Sequence, residues 1–133
     1  VVDPLRLRSL LDRLGEELEG IADLLDQVDE PHRLPALKYR LVVAIEAAVD
    51  AAQHVVASER LRAPVGYADA IRVLAEAALL DAELADHVAK AAGLRNLLVH
   101  RYAEVDDARL VEEMGEGLEY LAEYRRALAR LAV

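Results

Sequence analysis

Cysteine is absent from the 133 residues, which removes disulfide frameworks and thiolate metal sites together. No apolar run is expected to be long enough to cross a bilayer. The opening residues lack the basic-then-apolar layout of a secretory signal, so the expected location is the cytoplasm, with no membrane partner. Positive charge is scarce: 16 Lys and Arg stand against 25 Asp and Glu, for a net charge of −9. A broad basic surface for holding nucleic acid is thereby excluded, although a small basic site inside an acidic body is not. The period-2 alternation of a half-buried strand is missing throughout. What remains is one domain over residues 1–133, long enough to bury a core without staples.

What is present is helical periodicity. Asp3-Pro4 is a cap and first-turn pair, and Leu7, Leu10, Leu11, Leu14, Leu18, Ile21, Leu24, Leu25 and Val28 recur in steps of three and four. Arg8, Asp12, Glu16, Glu19 and Asp23 take the opposite, solvated face. After Asp29-Glu30-Pro31, a second helix is expected from about Pro35 through Leu41, Ile45, Val49 and Val56. The Pro64–Gly66 punctuation separates it from a short third helix over Tyr67–Ala78. Asp81 caps a fourth helix with Leu84, Val88, Ala91 and Leu98 inward. Val105-Asp106-Asp107 turns into a last helix carrying Leu110, Met114, Leu118, Leu121, Leu128 and Leu131. The acids of its first half and the arginines of its last turns complement the helix dipole. The expected fold is an all-α, up-and-down bundle of four long helices and one short one.

Polar chemistry concentrates in Gly93-Leu94-Arg95-Asn96-Leu97-Leu98-Val99-His100-Arg101-Tyr102. Asn96 and His100 are one turn apart on one helical face. If the helix continues, Tyr102 returns to nearly the azimuth of Arg95. That edge would present a guanidinium, an amide, an imidazole and a phenol, a set suited to phosphate chemistry. Arg101 either contacts phosphate or is solvated. Gly93 costs a helix interior about 1 kcal/mol relative to Ala, which points to a close backbone approach by another helix or a second subunit. On the second helix Glu46, Asp50 and His54 recur every fourth residue. They form either a plain solvated edge with an Asp–His pair or an edge that orients the basic groups by charge-assisted hydrogen bonds. Zinc on a lone Asp-x-x-x-His is weakly supported, and no metal is expected. His32 and His87 read as surface residues.

Arg95-Asn96 followed by His100-x-Tyr102 resembles the Arg-x4-His-x-Tyr motif of HEPN-domain proteins, and the wider run resembles the HepT toxins of HepT–MntA toxin–antitoxin modules. Ala44–His54 and Pro64–Leu74 extend that likeness over most of the chain. The resemblance implies a HEPN ribonuclease site built on Arg95, His100 and their neighbours, completed in a homodimer cleft. It implies an MntA-type nucleotidyltransferase partner that uses ATP and Mg²⁺ to attach AMP to Tyr102. Nucleotide and metal would then belong to the partner, leaving this chain without a cofactor of its own.

The residue chemistry is compatible with that implication. An imidazole titrates near neutrality, so His100 can serve as general base or acid towards RNA. Arg95 remains charged and can grip two phosphate oxygens, while Asn96 can orient the imidazole or donate to phosphate. Cleavage of transfer or messenger RNA to a 2′,3′-cyclic phosphate would need no metal. The alternative is a non-catalytic HEPN binding module, or a protein substrate, that partners a nucleotidyltransferase.

Overall fold

The computed structural model describes residues 1–27 and 29–133. All regular structure among them is helical. α1 spans Pro4–Leu25, and the Asp3 carboxylate at its N-cap accepts from the Leu5 and Arg6 N–H groups. Its expected end near Val28 is not reached: Asp26 closes the helix through an N–H bond to the Leu24 carbonyl, and Val28 itself lies outside the described residues. α2 spans Arg33–Ser58. It starts before Pro35 because first-turn N–H groups have no helical acceptor, so the proline forfeits nothing there.

α2 is the central element and packs against the other four helices. Ala44, Ala47, Ala48, Ala51 and Ala52 are all buried, and these short side chains let neighbouring helices approach closely. Contrary to the sequence expectation, α2 is long and apolar enough to cross a membrane: its 26 residues contain an 18-residue window of mean hydropathy 1.4. The apolarity has an internal cause, since a helix surrounded by partners has little room for a polar face; 56% of that window is buried in the fold.

α3 spans Tyr67–Glu76 and stops short of the expected Ala78. Ala78 adopts φ +60°, and bonds from Ala78 N–H to the Ala75 carbonyl and Leu79 N–H to the Leu74 carbonyl complete a Schellman ending. α2 ends the same way, with Arg60 at φ +54°. The intervening loop is strapped to α3 by Arg62, whose guanidinium donates to both oxygens of Asp69 (2.7 and 2.8 Å) and of Glu76 (both 2.9 Å). Asp69 also accepts from the Val65 N–H, and the two contacts hold its carboxyl down at about 2. The strap fixes the start of α3, and therefore Tyr67.

α4 spans Ala82–His100, with the Asp81 carboxylate capping Leu84 N–H at 3.0 Å. α5 spans Asp107–Ala129, capped by Asp106. It closes the bundle against α1 and α4. Tyr124 of α5, outside the expected inward set, is fully buried and donates its hydroxyl to the Ala48 carbonyl at 2.6 Å. Between α4 and α5 the chain makes a tight 3-10 turn over Tyr102–Glu104.

Candidate functional site: the end of α4

Arg95 is set from three sides. Its Nε and Nη2 donate to one Glu46 oxygen at 3.1 and 3.0 Å, bridging α4 to α2. Nη1 reaches the Asn96 side-chain oxygen at 3.4 Å. The guanidinium also lies 5.0 Å from the centroid of the Tyr67 ring, a cation–π distance. With its side chain 21% exposed, Arg95 is a charge held in position with one edge towards solvent.

Asn96 and His100 share a face of α4, one turn apart, and both are exposed. His100 is the last residue of the helix. No side chain among the described residues hydrogen-bonds its imidazole. The helix ends here: Arg101 turns to φ −136° and ψ 42°, and Tyr102 enters the 3-10 turn. The shared helical azimuth expected of Arg95 and Tyr102 is therefore not realised, because the cap of α5 follows too soon for α4 to continue. Tyr102 is half-exposed with its ring against Lys38, whose ammonium lies 4.3 Å from the ring centroid. Arg101 pairs with Glu104 at 2.7 Å, and both remain in solvent.

Of the polar stripe on α2, only Glu46 reaches Arg95. Asp50 faces α1 across a groove of about 1030 Å³ whose lining includes Arg6, Arg13 and Glu46. His54 lies 3.5 Å from Ser58, with no Asp50 contact among the described residues. A four-residue repeat advances about 40° per step beyond a full turn, so the three side chains fan out instead of aligning. No group of three acidic or imidazole side chains able to hold a metal occurs among the described residues. His32 is exposed, whereas His87 is partly covered by Tyr120, its ring stacked at 3.9 Å. Gly93 is exposed, with no atom within 4 Å of where a Cβ would stand, so no helix of this chain makes the close approach its position suggested.

Partial burial, and then repulsion from Glu46, raise the Asp50 carboxyl above its usual range, with Arg6 and Arg13 opposing. A raised folded-state value means that folding favours the protonated form, so ionisation of Asp50 lowers stability as pH rises through that value. Asp50→Asn should therefore raise the melting temperature at pH 7 by about 1–3 °C, a modest change because the residue is exposed. The gain should largely disappear at about pH 3, below the ordinary carboxylate range, where the unfolded chain holds the proton as well. Melting curves at the two pH values check both parts.

Three contributors were not singled out by the sequence analysis: Tyr67, Lys38 and Asp107. Tyr67 lies inside the Pro64–Leu74 block. Lys38 carried a signal of its own, a cation between Leu37 and Leu41 in an apolar register.

Comparison with known proteins decides the family. The family described as ribonuclease HepT-like matches residues 9–128, nearly the whole chain. The chain belongs to the HepT-like ribonuclease family. An RNase candidate of Archaeoglobus fulgidus is 30% identical over 112 residues, 84% of each protein. The mRNA nuclease HepT of Shewanella oneidensis is 36% identical over 61 residues, 46% of each. The fold is shared with the tri-AMPylated Shewanella oneidensis HEPN toxin, solved in complex with its MNT antitoxin, at a TM-score of 0.84, 21% identity and coverage of 92% of this chain and 95% of that one. In this HepT-like chain, the α4 end described above lies within the matched residues and is the segment that resembles the HEPN motif.

Proposed function

We propose that this HepT-like protein is the toxin of a toxin–antitoxin pair, an endoribonuclease working as a homodimer in the cytoplasm and silenced by AMP transfer to Tyr102 from an MNT-type nucleotidyltransferase. The observation that carries the reading is the pairing of a fixed Arg95 with an exposed, unengaged His100 on the same helix end. The names of the relatives support it, as does the AMP-bearing state of the Shewanella oneidensis toxin.

In this reading Arg95, already oriented by Glu46 and Tyr67, receives the scissile phosphate and stabilises its developing charge. Asn96 donates beside it. His100 takes the proton of the ribose 2′-hydroxyl, whose oxygen attacks phosphorus, and the bond to the 5′-oxygen breaks. A second copy of the site supplies the acid that protonates this leaving oxygen. Gly93, Asn96 and His100 all lie on exposed positions of α4, and the missing Cβ at Gly93 leaves room for a second backbone. The site residues need no metal, and the ATP and Mg²⁺ of the silencing reaction are bound by the nucleotidyltransferase. In that reaction the Tyr102 oxygen attacks the α-phosphorus of ATP, pyrophosphate leaves and the phenolic proton passes to solvent.

The test is RNA cleavage in the presence of a metal chelator, followed by analysis of the new ends. A 2′,3′-cyclic phosphate paired with a 5′-hydroxyl is the expected product. Ends bearing 5′-phosphate, or cleavage that stops on chelation, would overturn the mechanism.

A further inference from the structure

Among the described residues Lys38 is the sole buried charged residue, at 6% exposure. A lysine in that position has to be explained, because an ammonium taken out of water is unfavourable unless it is paired. Its Nζ lies 2.6 Å from the carboxylate of Asp107, the first residue of α5, and 4.3 Å from the Tyr102 ring centroid. The ammonium of α2 is thus shared between a carboxylate on α5 and an aromatic face on the α4–α5 turn. Stability alone does not account for it, since a well-packed apolar side chain of similar volume commonly serves a core as well as an ion pair or better.

The contact is distinctive in what it leaves free. Tyr102 sits outside any α-helix, and no group among the described residues hydrogen-bonds its hydroxyl. A half-exposed phenol on a turn would otherwise sample several rotamers. Lys38 engages the face of the ring and leaves the oxygen available. Transfer of AMP to a phenol requires that oxygen in line with the α-phosphorus, a geometric demand that loose acceptors meet poorly.

We propose that Lys38, anchored by Asp107, is a positioning residue for AMP transfer: it holds the Tyr102 ring so that the hydroxyl is presented to the nucleotidyltransferase. This rests on the reading above that Tyr102 is the acceptor.

The experiment follows AMP incorporation by intact mass, using the full chain, an MNT-type nucleotidyltransferase and ATP–Mg²⁺, over a range of toxin concentrations. Lys38→Met should lower the rate about tenfold, the scale of a partly desolvated cation–π contact, mainly in kcat because the docking surface is unchanged. Lys38→Arg keeps a cation over the ring and should restore most of the rate. A proton NMR signature accompanies this: the Lys38 ε-methylene should be shifted upfield by the ring in the wild type and relax in Tyr102→Leu. If Lys38→Met does not fold, Asp107→Asn, which releases the anchor alone, should show a several-fold loss. Labelling of a folded Lys38→Met at the wild-type rate, or an arginine variant as slow as the methionine one, overturns the proposal. A wild-type chain that takes no AMP also overturns it, by removing the acceptor reading itself, and the two failures are told apart by that control.

Discussion

His100→Ala is expected to lower RNA cleavage by about 10²–10⁴-fold, the usual contribution of a positioned general acid or base, and to abolish growth arrest on expression. In the proposed dimer the substitution acts twice, once at the base and once at the acid, so the upper part of that range is expected. Misfolding is a poor competing explanation. His100 is exposed at the end of α4 and its imidazole has no hydrogen-bond partner among the described residues. Its replacement should cost little stability, as for most exposed side chains away from packed contacts. The variant should keep the wild-type helical content and a melting temperature within about 2 °C. RNA binding should survive as well, because Arg95 is held by Glu46 and Tyr67 independently of the imidazole. Growth arrest that persists in a folded His100→Ala chain would instead favour the non-catalytic binding module, with toxicity arising from capture and not from turnover.

How much of this was legible beforehand follows from the range of the interactions. The five helices were readable because each carries a local stripe of apolar residues, and Asp3, Asp81 and Asp106 mark the starts of α1, α4 and α5 by side-chain caps. Helix ends were less legible. Leu25, Glu76 and His100 are last residues set by backbone turns that no side-chain pattern announces. The site divides in the same way. Asn96 and His100 were related by helical spacing alone, and that relation holds because α4 is intact as far as His100. Arg95 and Tyr102 were related by the same rule carried two residues too far. The Glu46–Arg95 bridge spans 49 positions, and the Lys38–Asp107 pair joins the start of α2 to the start of α5. Local periodicity places such residues on a helix face but does not say which other helix that face meets.

Tyr102→Phe is the complementary test, and its expected effect is all or none: complete loss of AMP labelling. The exchange removes one oxygen and keeps the ring, so the Lys38 ammonium retains its aromatic partner and the turn keeps its packing. Cleavage by the variant should therefore stay within a few-fold of wild type, since the groups assigned to it are Arg95, Asn96 and His100. The consequence in cells is an inversion. Co-expression with the nucleotidyltransferase should rescue cells carrying the wild-type chain but not those carrying Tyr102→Phe. Electrostatics explain why one adduct can suffice. AMP adds a bulky anion at the turn that follows His100, where RNA phosphate must approach, in a protein already at a net charge of −9. The new phosphate would also draw on Arg101, which is exposed and, among the described residues, paired only with Glu104. Intact-mass spectra and a growth assay read the two consequences separately. AMP found on the Phe variant would move the acceptor to another residue. An unlabelled Phe variant that the partner still silences would make tight binding, and not modification, the means of control.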